Sequence, residues 1–134
     1  MTYWLEMVLR LFVASALGAA IGYERERAGK PAGLRDHVLI TLGAALFSVV
    51  SMYGFTGSFD PSRVAAGVVA GVGFIGAGVI FREPQRDGVT GLTTAAAIWA
   101  AAAIGLAAGS GLYLVAVITT AIAVGVLEFP KVRD

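Results

Sequence analysis

The chain has 134 residues, 57% of them hydrophobic and only 14% charged, with a mean hydropathy of +0.81. A soluble domain carries about 25% charged residues, so this composition cannot clothe a water-facing surface. A net charge of +1 lacks the basic excess that draws a protein to nucleic acid, and no cysteine with one histidine excludes disulfides, thiolate chemistry and a multi-histidine metal centre.

A helix needs about 20 mostly apolar residues, or at least about 17, to cross roughly 30 Å of hydrocarbon. Five stretches qualify: Leu5 to Tyr23, His37 to Tyr53, Val64 to Phe81, Leu92 to Ala108, and Leu112 to Phe129. Strands usually stop near 10 residues, so runs of this length predict helices. The expected architecture is all-α: one domain over 1–134, a bundle of five transmembrane helices.

In the first span Glu6 and Arg10 stand four apart and can pair along one face. The pair reads either as self-neutralising, with the arginine snorkelling outward, or as part of an ion or proton pathway. Ala14, Gly18 and Gly22 form a small-xxx-small series suited to close helix packing. Leu11 to Gly22 resembles a signal-peptide core, but Glu6 is acidic where such a leader is basic, so the span is read as retained.

The loop that follows is dense in charge: Glu24, Arg25, Glu26, Arg27 and Lys30, then Arg35, Asp36 and His37. Its carboxylates suit a hydrated cation such as magnesium, but four basic groups oppose that, leaving anchoring and lipid headgroup contact as the other reading. Asp36 either orients His37 or caps the second span. Asp60-Pro61-Ser62-Arg63 is a helix-start signal for the third.

The third span is sorted by size. Ala66, Gly67, Ala70, Gly71, Ala77 and Gly78 fall on one side at about 100° per residue, with Val68, Val72, Ile75 and Val79 opposite. The small side is expected to meet another helix and the bulky stripe to meet lipid or bulky neighbours. Gly71 to Gly76 also spells GxGxxG, but inside a helix rather than at a strand-to-helix turn, so it reads as packing and not nucleotide binding. A broken helix at Gly76-Ala77-Gly78, as in transporters, is the remaining alternative. Spans one and three are expected at the centre of the bundle or at a subunit interface, with Gly18, Gly22, Gly67, Gly71 and Gly78 as packing residues.

The fourth span is nearly all alanine, which gains little from lipid, and is expected to be wrapped by other helices. Thr90, Thr93, Thr94, Ser48 and Ser51 can bond carbonyls of neighbouring helices. The short Ala108-Gly109-Ser110-Gly111 connection forces spans four and five into an antiparallel hairpin. The first and third loops and the tail (Lys131, Arg133) hold eight of the ten basic residues. That places the N-terminus outside and the C-terminus in the cytoplasm. The candidate bases Glu6, Asp36, His37 and Glu128 are scattered, so no enzyme is expected.

The chain resembles the bacterial MgtC/SapB family. The resemblance rests on Gly22 to Arg35, on Asp60 to Ala66, on Gly71 to Gly78 and on Gly91 to Trp99 running on to Gly105, in that order along the chain. It implies an inner-membrane, multi-pass protein, often of five spans, tied to adaptation to low magnesium and regulatory more often than catalytic. Family members often have Thr where Asp36 stands and Gln where Gly67 stands, and the MgtC branch tends to Asn at Thr93 and Cys at Ala100. The chain therefore looks closer to the SapB side, and virulence is not carried over. Many relatives carry a soluble C-terminal domain, whereas this chain stops at Asp134, and the transmembrane domain alone is expected.

The expected function is a non-enzymatic stress-adaptation regulator acting by contact with other membrane proteins; the alternative is a small transporter or channel for magnesium or another cation. A functional cluster is expected at the cytoplasmic ends of spans one to three: Glu24, Glu26, Arg35, Asp36 and His37, with Arg82 nearby. Expected partners are the lipid bilayer, further copies in a homo-oligomer and another membrane protein, not nucleic acid. No cofactor is expected beyond a weak association with Mg2+.

Overall fold

The computed structural model describes residues 3–57, 60–82 and 91–129, the last two of the middle segment by backbone alone. They form five helices: α1 (Tyr3–Arg27), α2 (Leu34–Tyr53), α3 (Ser62–Arg82), α4 (Leu92–Gly109) and α5 (Tyr113–Glu128). No strand occurs among the described residues. The first four are long and apolar enough to cross a membrane; α5 is a shorter apolar helix. At about 1.5 Å per residue its 16 residues rise roughly 24 Å. It is shorter than the expected span because Leu112 belongs to the preceding turn and Phe129 is extended, as the residue before a proline tends to be.

Local chemistry sets the ends. Gly111 has φ of +88°, and the Gly111 and Leu112 N–H groups donate back to the carbonyls of Ala108 (3.0 Å) and Ala107 (2.9 Å). This is the glycine-centred stop that reverses a helix within a few residues. Gly29, with φ of +74°, ends α1 in the same way. At the start of α3, Asp60 Oδ1 accepts from the Ser62 N–H (3.0 Å) and hydroxyl (2.7 Å), which holds the Asp60 carboxyl below the usual carboxylate range.

The centre of the bundle is α4, which touches the other four helices, whereas α3 touches only α2 and α4. The alanine-rich helix is indeed wrapped: Ala101 and Ala108 are fully buried, and Ala97, Ala102 and Ile104 nearly so. Gly18 on α1 faces Thr41 and the His37 carbonyl, and Gly22 faces the backbone of Gly33 and Leu34. Gly105 and Gly109 on α4 lie against Thr41, Ala44 and Ala45 of α2 in the same manner. At each, an added methyl group would collide with backbone or packed side chain. Close backbone approach supplies the packing energy that apolar burial does not supply in lipid.

Of the two places expected for α3, the centre of the bundle is not the one it takes within the chain: it lies at the side. Its orientation is also reversed: Val68 and Val72 are buried against Ala44, Ile98 and Ala102, while a Cβ at Gly67, Gly71 or Gly78 would meet nothing within 4 Å. The small residues that receive α3 are on its neighbours, so its valines act as knobs and need no small residues opposite their own. Of its glycines, Gly76 is the one packed, against Ala95.

Candidate functional site

Charged and polar side chains gather at the two ends of the bundle. At the end where α1 begins, Arg10 is only 8% exposed. Its Nε donates to Glu6 Oε2 (3.3 Å) and its Nη1 to the Gly109 carbonyl at the end of α4 (3.1 Å). The guanidinium also stacks over Tyr53 at 5.2 Å, and Tyr113 of α5 donates to Glu6 Oε2 (2.6 Å). Four helices meet on this arginine. A cation at the C-terminal carbonyls of α4 is favoured by the helix dipole. The predicted Glu6–Arg10 pair is present, and the guanidinium is shared with the carbonyl of Gly109 at the end of α4. Tyr53, Gly109 and Tyr113 are missed by sequence reasoning because they stand far from Arg10 in the chain.

At the opposite end, the close approach at Gly22 sets the start of α2 against the last turn of α1. Glu26 Oε1 then reaches across to accept from the Leu34 N–H (2.8 Å), while Asp36 Oδ2 accepts from the Gly33 N–H (3.1 Å). These carboxylates satisfy donors that every helix start leaves open. They also explain why α2 begins at Leu34, three residues before the expected His37. A side chain at Gly33 would push the Glu26 carboxylate out of this position.

His37 is fully buried, and its Nδ1 lies 2.9 Å from the Gly33 carbonyl. A carbonyl only accepts, so Nδ1 carries the proton and a neutral ring presents a lone pair at Nε2. The ring is therefore oriented by Gly33 rather than by Asp36, which is occupied as a cap. Glu24 and Arg25 are also buried, at 8% and 3% exposure, with Arg25 Nη1 3.6 Å from Glu24 Oε1. Among the described residues, Glu24 Oε1, Arg25 Nε and His37 Nε2 are buried without a hydrogen-bond partner. Such groups are few in folded proteins and call for an explanation.

Of the six residues expected in the cytoplasmic cluster, Glu24 and His37 are buried, Glu26 and Asp36 act as caps, and Arg35 is exposed. The side chain of Arg82 lies outside the described residues. The most buried charge there, Arg25, was a member of the loop cluster without a role; its burial follows from Gly18 and Gly22, whose face of α1 turns toward α2. Among the described residues no group of three or more His, Asp or Glu side chains is placed to hold a metal ion. Ser48 and Ser51 do bond carbonyls beyond their own helix, those of Leu106 (3.4 Å) and Pro61 (2.9 Å). Thr90 falls outside the described residues.

Residues 11–133 match the model of the MgtC family. The chain is 50% identical over 130 residues to the Escherichia coli K12 protein named "Putative magnesium transporter YhiD", covering 92% of this chain and 60% of that one. It is 45% identical over 122 residues to Protein MgtC of Brucella abortus (90% and 50%). To Protein SapB of Bacillus subtilis it is 43% identical over 115 residues (81% and 49%). The chain thus spans about half to three-fifths of these relatives. No solved structure matches it.

Proposed function

This chain belongs to the MgtC family, and from that premise we propose that it is a non-enzymatic stress-adaptation regulator linked to magnesium limitation. In this reading it sits in the bacterial inner membrane, N-terminus outside, forms a homo-oligomer and acts by contact with other membrane proteins. The observation that carries it is the separation of the two polar ends. Between them the α1–α2–α4 seam is closed at Gly18, Gly105 and Gly109, where even a methyl group has no room. A transporter of the broken-helix type keeps its charged site near the midplane; here the charges fasten helix ends.

The functional site of this reading is Glu24, Arg25 and His37. A buried unsatisfied polar group costs roughly 1–3 kcal/mol, so three at one helix end favour a role other than stability. The second reading, cation transport, is favoured by the name of the E. coli relative. Magnesium flux into dye-loaded liposomes separates the two. The expected result is no flux from folded, inserted protein, together with loss of the low-magnesium growth phenotype in a His37→Ala strain that still inserts the protein. Flux abolished by the same substitution overturns the regulator.

A further inference from the structure

Helices α2 and α3 meet sparsely along their length, and between them runs an open apolar groove of about 710 Å³. Leu39, Ile40 and Phe47 form one wall, Val64 and Val68 the other. Gly43, Gly67 and Gly71 keep it clear, since a side chain at any of them would enter open space. A smaller hollow of about 340 Å³ shares Leu39, Ile40 and Ile75 with it and leads to Pro31 and Asp36 at the start of α2. From Asp36 to Phe47 the groove follows about 17 Å of helix at about 1.5 Å per residue. That is close to one leaflet of a hydrocarbon core about 30 Å thick.

The mouth is charged. Arg35, Leu39, Gly43 and Phe47 are spaced by four, so Arg35 continues the row that builds the α2 wall. It is exposed, and its side chain makes no ion pair among the described residues. Lys30, beside Pro31, is exposed as well. The opposing charge, Asp36, already accepts from the Gly33 N–H.

We propose that this groove binds one anionic glycerophospholipid, with an acyl chain between α2 and α3 and the headgroup phosphate on Arg35. The dimensions fit one chain of one leaflet, the walls ask for no polar partner, and the exposed Arg35 stands at the mouth. A second copy of the protein is disfavoured as occupant. In a two-fold contact between parallel copies at this groove the two Arg35 side chains meet at the same depth, where like charges repel. A phosphate reverses that sign. The proposal holds whether the protein is a regulator or a transporter.

Native mass spectrometry of the 134-residue chain, released from bilayers of equal phosphatidylcholine and phosphatidylglycerol, tests it. One phosphatidylglycerol is expected to stay bound in preference to phosphatidylcholine. Arg35→Ala should reduce that preference about fivefold, the effect of one cation at an anionic surface. Gly71→Leu, which projects into the groove from a position where a Cβ meets nothing within 4 Å, should abolish retention while helical circular dichroism is unchanged. Gly67→Leu gives the same readout if the first variant does not fold. Equal retention of both lipids by the native chain overturns the proposal, as does a preference that survives both substitutions. A dimer dissociated by Gly71→Leu, with lipid retention untouched, also overturns it and makes the groove a contact between copies.

Discussion

The α4 seam and the α3 flank are both rich in glycine, and they use it in opposite ways. Gly105 and Gly109 bring α4 so close to α2 that Thr41 and Ala45 backbone atoms fill the space of a side chain. Gly67, Gly71 and Gly78 stand over open space, while the valines of α3 do its packing. Small residues permit close approach, but they bring two helices together only where the partner presents a matching ridge. The seam is also cross-tied by polar side chains at both ends, whereas α3 is held along one side by apolar contact and at its start by the Ser51 hydroxyl on the Pro61 carbonyl.

The sharpest way to break this comparison is to place one bulky residue on each side of it. Gly105→Leu drives a side chain into the Thr41 carbonyl and Ala44, and it should cost at least the roughly 1–3 kcal/mol of ordinary overpacking. Gly71→Leu should leave unfolding in mixed detergent within about 0.5 kcal/mol of the native chain. Equal losses would show that the glycine seam has no special part in the fold.

Removing the tie at the Gly109 end of the seam comes next in size. Arg10→Ala strands the Gly109 carbonyl and leaves Glu6 with Tyr113 alone, and about 2 kcal/mol should be lost, as for hydrogen bonds to charged groups. Unfolding of Arg10→Ala together with Tyr113→Phe then reads the coupling, which should make the double loss less than the sum. A smaller loss, about 1 kcal/mol, is expected for Glu26→Ala, which removes a cap from α2. Faster amide exchange at Leu34 would locate it; unchanged exchange there would mean that water replaces the carboxylate without cost.

The smallest effect belongs to α3. The Asp60 carboxyl is held below its usual range by the Ser62 hydroxyl and N–H. Its contribution is therefore present at neutral pH and lost as pH falls through the lowered value. Acidification should raise amide exchange in the first turn of α3, and Asp60→Asn should flatten that dependence. A slope of the same size in the variant would assign it to another carboxylate.

Much of the architecture was legible beforehand. The apolar runs marked the five stretches that form helices, Asp60-Pro61-Ser62 marked a start, and the short Ala108-Gly109-Ser110-Gly111 connection marked a hairpin. Glu6 and Arg10 were legible as a pair because four residues along a helix is a local distance. The third partner, Gly109, was not, because it is brought up by packing. The cluster where α1 ends and α2 begins was legible as a place and misread in its parts: Asp36 and Glu26 serve backbone donors, and Arg25 is the most buried charge there.

Composition and periodicity by themselves determined that the chain forms apolar helices, which stretches form them, and that its charges collect toward their ends. Those features follow from chain-local physics: span length, capping, turn glycines and the cost of charge in hydrocarbon. Which face of each helix meets protein was decided only by the tertiary structure. In lipid the packed and the lipid-facing sides are equally apolar, so periodicity marks two faces on α3 without ranking them. The ranking came from α4, whose alanines accept the α3 valines and leave its glycines beside an open groove.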